Sequence, residues 1–372
     1  LKDNVELRLE AGATLSLSQD PADWPVGSPA LVNSRGAKNI AITGRGTIDG
    51  NAQYEYAPMR GVDPEIKEEI ENARRAGVEM KRYYRTGVQK YLVLLRDSRE
   101  VRIEGVRLIN SPLWTLRLQD CDQVWVRGVY VYSDLEKGVN SDGIDIVSTS
   151  NVLISDSIIT TADDAICLKS EAMRNRGAAD ASQRVRPTEN VTVSNSILSS
   201  SSTAMVIGTE TYADIRHVLF SNIVVRNSNR AFGINVQDGG TVSDVRFQNV
   251  TFELNRRHWN WWGSAEVFKF VLKKRTPESP LGRIENITID GAQGTARGTS
   301  LIAGHLDRPL KNITIDGLRV KMLAENQPDK RATHALVIER VQGLTLRDIN
   351  VDWDDQSAEP SWGSALVLRD ID

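Results

Sequence analysis

Two short segments carry acidic side chains in an arrangement suited to acid/base chemistry. The first is Asn140-Ser-Asp-Gly-Ile-Asp145, and the second contains the pair Asp163-Asp164, so that Asp142 and Asp164 are 22 residues apart. Hydrolysis of a glycosidic bond needs one protonated acid for the leaving oxygen and one carboxylate to activate water. Aspartate is also common in turns, where it binds backbone groups, and for Asp145 alone that structural role is the simpler interpretation.

The chain contains a repeated phrase that predicts the elements holding these aspartates. The phrase is a polar residue followed by alternating β-formers, and it starts at residues 39, 100, 123, 151, 190, 217, 244, 286, 312 and 343. From residue 100 onward the starts are 23, 28, 39, 27, 27, 42, 26 and 31 residues apart. Short alternating runs without helical segments between them predict strands, and a period of this length predicts a solenoid. The expected fold is therefore all-β, a parallel β-helix.

This fold predicts where the aspartates lie relative to one another. Equivalent residues on successive coils of a parallel β-helix are about 4.8 Å apart. The 22-residue spacing is close to the shortest repeat interval, so we expect Asp142 to lie beside Asp163 and Asp164. Stacked carboxylates repel each other when ionised, so at least one pKa should rise and the titrations should be coupled. These three residues are the predicted catalytic groups.

Two insertions interrupt the repeat within a single predicted domain that spans residues 1–372. The first, at about 55–88, includes residues 63–82, whose early proline and acidic residues and later basic residues predict a surface helix. The second, at 171–187, is a polar loop that we interpret as a candidate wall of a cleft. It contains Arg174, Arg176, Arg184 and Arg186.

Composition and charge exclude several classes of protein. The chain has 46 basic and 49 acidic side chains and a net charge of −3, which gives no reason to expect nucleic acid or an anionic membrane as a partner. No apolar run approaches the ~20 residues that cross a bilayer. Cys121 and Cys167 are interpreted as small buried residues, and the histidines lack metal-ligand spacing, so we expect no cofactor and no metal.

The expected location of the protein is secreted or periplasmic. The sequence starts directly in a strand-like run, which suggests that a leader and a first element have been removed or are missing, and a secreted origin is neither shown nor excluded by the sequence. The oligomeric state is left open.

The aspartate motifs resemble those of glycoside hydrolase family 28, the polygalacturonase-like enzymes, which are Asn-Thr-Asp-Gly-x-Asp and Gly-Asp-Asp-x-Ile-x-x-Lys-Ser. The similarity extends from the first residues to about Glu266, and it includes Leu9-Glu-Ala-Gly-Ala-Thr-Leu, Gly44-Arg-Gly-Thr-Ile-Asp-Gly50 and Asn110-Ser-Pro-Leu-Trp114. The resemblance implies a right-handed parallel β-helix and hydrolysis that inverts the anomeric carbon. It also implies that Asp163 is the general acid, while Asp142 and Asp164 hold and deprotonate the water.

The chain departs from the family pattern at three positions. Thr203 stands in place of the family's histidine, and Asn235 and Gln237 replace an arginine and a lysine. Those cations bind the substrate carboxylate in galacturonan-cleaving members, so their replacement predicts a neutral sugar bound by the two amides. The opposing observation is that residues 174–186 and Arg256-Arg257-His258 offer substitute cations for a uronate. Loss of the histidine is less decisive, because a hydroxyl can replace a supporting hydrogen bond.

Several other side chains are candidates for binding the substrate. Glu210 belongs to a phrase similar to Ile-Gly-Ser-Glu of bacterial members, and it either contacts substrate or solvates a turn. Trp261 and Trp262 either stack on sugar rings or anchor a loop, since alternate positions of an extended segment face opposite ways. Asn140 and Lys169 complete the substrate-binding candidates, with Lys169 also expected to pair with nearby carboxylates.

Two rival functions remain open at this point. A polysaccharide lyase on the same fold would use Ca²⁺ held by the aspartates and a basic side chain, although the expected facing arginine or lysine is missing from the sequence. A binding-only protein is the other rival, because the family's histidine, arginine and lysine are absent. The main prediction is a hydrolase acting on a plant or algal polysaccharide or its oligosaccharides.

Overall fold

The computed structural model describes residues 1–58, 67–78, 83–171, 185–257 and 262–372. These residues form a right-handed parallel β-helix, in which each strand pairs in parallel with the equivalent strand one coil away. Three sheets run along the axis of the helix, and the core lies between them. The predicted all-β solenoid is therefore confirmed.

Sheet 1 carries the aspartate motifs at the start of its strands. Sheet 1 has one strand per coil. Its second-last strand, Leu336–Arg347, begins in sheet 1 and continues into sheet 2. The strands are Ala30–Arg35, Tyr91–Arg96, Leu116–Gln119, Ile144–Val147, Ile166–Ser170, Thr203–Thr211, Arg230–Val236, Glu266–Leu272, Ser300–Ala303, Leu336–Arg347 and Leu366–Ile371.

Sheets 2 and 3 form the other two sides, and they have separate strands in the first half of the chain and again in its last coil. Strands in sheet 2 alone are Glu6–Leu9, Lys38–Gly44, Arg99–Glu104, Asp122–Arg127 and Ser150–Ser155. Strands in sheet 3 alone are Thr14–Ser16, Thr47–Asp49, Arg107–Ile109, Tyr130–Tyr132, Ile158–Thr161 and Asn350–Trp353. Long strands that serve both sheets are Thr188–Ser200, Ile215–Ser228, Thr241–Leu254, Arg283–Ala296 and Leu310–Met322.

The polar residue that opens each repeated phrase turns the chain into sheet 2. Nine of these residues have φ between +50° and +58°, in the left-handed region that asparagine and aspartate tolerate best. Their side chains bind one another along the axis: Asn190 Nδ2 donates to Asn151 Oδ1 at 3.0 Å, and Asn312 Nδ2 donates to Asn286 Oδ1 at 2.9 Å. The nine are Asn39, Glu100, Gln123, Asn151, Asn190, His217, Asp244, Asn286 and Asn312.

Inward-facing side chains stack on like side chains one coil away. Rings of Phe220 and Phe247 are stacked with centroids 5.2 Å apart, and Phe232 lies 4.6 Å from Phe247. A second column is aliphatic and in continuous register: Val101, Val124, Val152, Val191, Val218, Val245, Ile287 and Ile313. This stacking fixes the register of every coil, because a one-residue slip would expose the whole column.

The predicted surface helix is confirmed over Lys67–Ala76. A short antiparallel pair, Ala57–Pro58 with Tyr84–Arg85, closes the base of this insertion. The flanking residues of the predicted helix, 63–66 and 79–82, lie outside the described residues, as does most of the predicted loop at 171–187. Among the described helices, none has the length and apolar character to span a bilayer.

Candidate active site

Register in sheet 1 brings the three predicted aspartates together. Ile144 pairs with Ile166, so Asp142 and Asp164 occupy the same position on adjacent coils, and the backbone N–H of Gly143 donates to the Asp164 carbonyl at 2.9 Å. One carboxylate oxygen from each of Asp142, Asp163 and Asp164 lies within 4.8 Å of the others. Residues distant along the sequence thus form one cluster, as the repeat spacing predicts.

Burial dominates the electrostatics of this cluster. Asp142 is 3% exposed and Asp163 is 7% exposed, while Asp164 is half-buried. Loss of solvation raises the pKa of Asp142 to about 8 and that of Asp163 well above its ordinary value. Mutual repulsion among the carboxylates adds to both shifts. The cluster therefore holds at least one proton at neutral pH, which supplies an acid beside a base.

Asp164 is the member of the cluster most favoured to ionise. Burial raises its pKa, but the Lys169 and Arg230 charges and two hydrogen bonds oppose the shift. The Ser202 hydroxyl donates to Asp164 Oδ1 at 2.8 Å, and the Thr203 backbone N–H donates to the same oxygen at 3.1 Å. Asp163 Oδ1 accepts from the Asp164 backbone N–H at 2.9 Å. The two neighbours thus have different environments, which separates their roles.

Lys169 lies on the strand that follows the aspartate pair and is almost fully buried. Its Nζ donates to Glu210 Oε2 at 2.9 Å and lies 4.7 Å from the ring centroid of Trp114. Burial opposes its charge, but the surrounding acidic groups outweigh burial and raise the pKa of Lys169. Burial would likewise raise the pKa of Glu210, but the Lys169 ammonium lowers it to about 2. Glu210 is therefore an ionised partner of Lys169 rather than a residue solvating a turn.

Next to the cluster, Arg117 forms a buried ion pair with Glu171. The Nη2–Oε2 distance is 2.5 Å, and Arg117 Nη1 donates to the Tyr91 hydroxyl at 2.7 Å. Arg117 also pairs in register with Asp145, which is fully buried inside strand Ile144–Val147. Asp145 therefore lies within a strand and not in a turn. Within the described part of the chain its oxygens have no hydrogen-bond partner, and burial raises its pKa well above the ordinary value.

Thr203 contacts Asp164 through its backbone N–H and not through its hydroxyl. The Thr203 backbone N–H reaches Asp164, whereas Thr203 Oγ1 accepts a hydrogen bond from Arg230 Nη1 at 3.2 Å. We expected a hydroxyl to take over a supporting bond to the acid, and in the described hydrogen bonds the hydroxyl instead faces a cation. Arg230 is in turn paired with Glu266, at 2.5 Å.

The remaining predicted binding residues are less closely associated with the carboxylates. Asn235 is half-buried on strand Arg230–Val236, and Gln237 is buried just after the end of that strand. Both lie two coils beyond the aspartate pair. Asn140 is half-buried two residues before Asp142. Trp262 packs in a small apolar cluster with Tyr83, Val139 and Ile70, which favours the loop-anchoring interpretation, and Trp261 lies outside the described residues.

Sequence reasoning missed the two cations that flank the cluster, Arg117 and Arg230. A signal for Arg230 was present in the repeat. Thr203 and Arg230 follow Asp164 by 39 and then 27 residues, which are the intervals between the corresponding phrases starting at 151, 190 and 217. The same register therefore puts Arg230 in the column that begins with Asp142.

The carboxylate cluster is also the place where a cation could bind. Three carboxylate oxygens within 4.8 Å of one another suit a hard divalent ion such as Ca²⁺, which takes six to eight oxygen ligands. The Lys169 ammonium already compensates part of this negative charge. No other group of three possible ligands is found among the residues that the structure describes.

Fold and site together define a parallel β-helix protein with a buried three-carboxylate acid/base cluster on one sheet. The chain belongs to the glycosyl hydrolases family 28, whose family model matches residues 1–257. That match covers both aspartate motifs, Thr203, Glu210, Asn235 and Gln237. It ends close to Glu266, the limit that the sequence motifs indicate.

Individual relatives are distant. A probable polygalacturonase of Vitis vinifera is 25% identical over 282 residues, which cover 70% of this chain and 52% of that protein. An exo-poly-alpha-D-galacturonosidase of Dickeya chrysanthemi is 24% identical over 291 residues, covering 67% of this chain and 46% of that protein. The chain thus spans about half the length of these curated relatives.

A solved structure supports the fold over nearly the whole chain. The exopolygalacturonase from Thermotoga maritima superimposes with a TM-score of 0.72 at 23% identity, covering 95% of this chain and 80% of that one. At this identity the likeness establishes the parallel β-helix and nothing finer.

Proposed function

We propose that the protein is a glycoside hydrolase that cleaves a galacturonate-containing polysaccharide, or its oligosaccharides, by an inverting acid/base mechanism. The observation that carries the proposal is the cluster of three carboxylates whose nearest oxygens lie within 4.8 Å of one another. Burial keeps a proton on this cluster while donors from the next coil favour an anion at Asp164. An acid and a base are thus held side by side, as glycoside hydrolysis requires.

In this mechanism the three aspartates have separate roles. Asp163, whose pKa burial raises well above its ordinary value, protonates the oxygen of the leaving sugar. Asp164 accepts a proton from the attacking water, because the Ser202 hydroxyl and the Thr203 N–H hold one of its oxygens and stabilise the anion. Asp142 orients the water from the adjacent coil. Asp142 and Asp164 share position on neighbouring coils, which lets both reach one water.

The proposed substrate replaces our neutral-sugar hypothesis, which the comparisons do not confirm. Relatives named as polygalacturonases favour the uronate alternative. Among the described cations, Lys169 is suited to bind a uronate carboxylate, because an ammonium has three donors and one hydrogen bond, to Glu210, is seen. The ring of Trp114 beside it offers an apolar face to a sugar. Asn235 and Gln237 then bind hydroxyl groups rather than the carboxylate.

Inversion is proposed from the family pattern and needs its own test. Carboxyl groups are usually ~6.5–9.5 Å apart in inverting glycosidases, which leaves room for water between them. The nearest oxygens here are closer than that, so we place the water against Asp142 and Asp164 together rather than between acid and base. Proton NMR of the first product is expected to show the inverted anomer. A retained anomer would overturn this part of the mechanism.

The main experiment compares reducing ends released from polygalacturonate and from neutral arabinan and galactan. The native protein is expected to cleave polygalacturonate fastest. The Asp163→Asn variant keeps the size of the side chain and should lose activity by about 10²–10⁴-fold. Asp156→Asn is the control, because Asp156 is an exposed aspartate that pairs with Arg127 at 3.0 Å on the outside of the helix. Its activity should match the native protein.

Other outcomes of this experiment identify the rivals. Cleavage of a neutral glycan with polygalacturonate left intact would restore the neutral-sugar hypothesis. Chelator-sensitive activity that gives unsaturated, ultraviolet-absorbing ends would indicate a lyase, and retention of oligosaccharide without any product would indicate a binding protein. Because the substrate is a polymer, we also propose that the protein acts outside the cytoplasm, secreted or periplasmic, which fractionation of the source cells would test.

A further inference from the structure

Arg230 lies in the same column of sheet 1 as two of the catalytic carboxylates. Thr203 pairs with Arg230, and Arg230 pairs with Glu266, on successive coils. The backbone N–H of Ala165 donates to the Thr203 carbonyl at 3.0 Å, which sets Asp164 beside Thr203. The column therefore runs Asp142, Asp164, Thr203, Arg230, Glu266.

The side chain of Arg230 points back along this column towards Asp164. Its Nη1 donates to Thr203 Oγ1 at 3.2 Å, and Thr203 donates its backbone N–H to Asp164 Oδ1 at 3.1 Å. The other side of the guanidinium is held by Glu266, through Nε at 2.6 Å and Nη2 at 2.5 Å. Glu266 also accepts the Ser264 N–H. Arg230 is thus fixed on two sides.

The ion pair is buried and oriented. The side chains of Arg230 and Glu266 are 7% and 4% exposed, so solvent screens their charges weakly. The positive end lies nearer to Asp164 and the negative end is one coil further away. A pair with this orientation favours the anionic form of Asp164, even though its net charge is zero. Arg230 is one of the groups that oppose the rise in the pKa of Asp164.

We propose that Arg230, anchored by Glu266, is a positioning residue for the water-activating carboxylate of this chain. It fixes Thr203 and keeps Asp164 charged and oriented, without contacting substrate. The inference rests on the proposed function, since it gives the carboxylate cluster a supporting element. It also explains why a threonine is compatible with catalysis at position 203, because its hydroxyl accepts from Arg230 while its backbone N–H donates to Asp164.

The first test removes both charges of the pair with Arg230→Gln and Glu266→Gln together, so that no lone charge stays buried. We expect kcat to fall about tenfold, because Asp164 is less well held, with KM changed less than about twofold. We also expect the acidic limb of the pH profile of kcat to move up by about 0.5–1 pH unit, because Asp164 keeps Lys169 but loses Arg230, the second cation that favours its anion. A native kcat and a native acidic limb in the folded variant would overturn the proposal.

Two single variants separate charge from contact. Arg230→Lys keeps a positive charge that can pair with Glu266, so the acidic limb should return to its native position even if kcat recovers only in part. Thr203→Val keeps the backbone N–H but removes the oxygen that accepts from Arg230, and a fall in kcat of about threefold or more is expected. Native kcat in Thr203→Val would show that the hydroxyl contact has no positioning role.

A second buried ion pair provides the matched control. Arg256 and Glu325 are 0% and 1% exposed and 3.1 Å apart, and they connect the segment after strand Thr241–Leu254 to the loop around residue 325 rather than to the carboxylates. Arg256 also pairs with Asp329 at 2.8 Å, and Asp329 keeps a second partner, Arg331, at 2.6 Å when Arg256 is changed. The double change Arg256→Gln with Glu325→Gln should alter stability but leave the acidic limb in place. An equal shift of the limb in this control would mean that the effect is structural, which would overturn the proposal.

A measurement without substrate distinguishes failure of this inference from failure of the proposed function. Carbon-13 NMR titration of labelled aspartate carboxyl groups, with Asp164→Asn used to assign the signal, reports the pKa of Asp164 directly. The inference predicts a higher pKa in the Arg230→Gln, Glu266→Gln variant than in the native protein. If the native protein cleaves no glycan and this shift is still seen, the proposed function fails and the positioning role stands. An unchanged pKa overturns the positioning role.

Discussion

The outer faces of sheets 1 and 2 are built from the same repeat and yet differ in their exposure to solvent. Strands Asp122–Arg127 and Ser150–Ser155 of sheet 2 alternate between buried and exposed residues, as expected of a solenoid wall. Strands Leu116–Gln119 and Ile144–Val147 of sheet 1, on the same coils, are buried at every position. Loss of alternation therefore marks the face that carries the site.

The cause of this difference is what covers each face. On sheet 2 the outward side chains contact water and form exposed ion pairs, such as Arg127 with Asp156. On sheet 1 the outward side chains include ionisable groups that are buried, as in the pair of Arg117 with Glu171. Buried charges cost free energy unless they are paired, so a face of this kind is retained for a function rather than for stability.

The largest difference between the two faces should appear when matched arginines are changed. Arg117→Met leaves Glu171 buried without its partner and should lower the free energy of unfolding by about 3–5 kcal/mol. Arg127→Met breaks a pair whose side chains are 72% and 43% exposed, and the expected loss is about 0–1 kcal/mol. Urea denaturation of both variants measures the two losses. Equal losses would mean that the two faces do not differ in this respect.

A smaller effect is expected from the pH dependence of stability. Burial raises the pKa of Asp142 to about 8, whereas the unfolded chain gives up this proton near pH ~4. Between these two pH values the folded state binds one proton more than the unfolded chain, so raising the pH towards about 8 lowers the free energy of unfolding by roughly 1.4 kcal/mol per pH unit, and above about 8 this dependence ends. The Asp142→Asn variant lacks this group and should lose less stability than the native protein as the pH rises. The free energies of unfolding of both proteins, measured by denaturation at about pH 6 and about pH 8, would decide this, and equal losses over this range would contradict it.

The smallest effect concerns the asparagine ladder of sheet 2. Asn190 has φ +58°, where an alanine side chain is disfavoured by about 1 kcal/mol. Asn190→Ala should lower the free energy of unfolding by about 1–2 kcal/mol, since the bond to Asn151 is lost as well. Asn190→Gly should recover the backbone part of that loss. Neither variant should change the rate of glycan cleavage. A changed rate would show that the asparagines of sheet 2 influence the carboxylate cluster on sheet 1, which the structure does not indicate.

The repeat predicted the fold because its signal is local and regular. Each phrase consists of alternating residues next to one polar position. Its inward side chains stack on those of the next coil regardless of which residues form the loops between coils. The same arithmetic predicted that Asp142 would meet Asp163 and Asp164, because their separation matches one coil. The helix at Lys67–Ala76 was predictable from its run of helix formers.

The surroundings of the cluster were less predictable, for physical reasons. Arg117 and Arg230 act through long side chains that reach across coils, and no local pattern specifies where such a side chain ends. Thr203 was expected to support the acid through its hydroxyl, but the hydroxyl oxygen accepts a hydrogen bond from Arg230 instead. The neutral-sugar hypothesis rested on Asn235 and Gln237 alone and gave no weight to Lys169, which lies beside the carboxylates.

The fixed separation of coils limits how such a site can change during evolution. Backbone hydrogen bonds hold neighbouring strands about 4.8 Å apart, so the backbone positions along a column can only be spaced in whole multiples of that distance. Any finer adjustment has to come from the length of the side chains. Arg230 illustrates this, because only a long residue spans the interval from its own strand to Thr203. New specificities in this architecture should therefore arise by exchanging long side chains for short ones at constant backbone geometry.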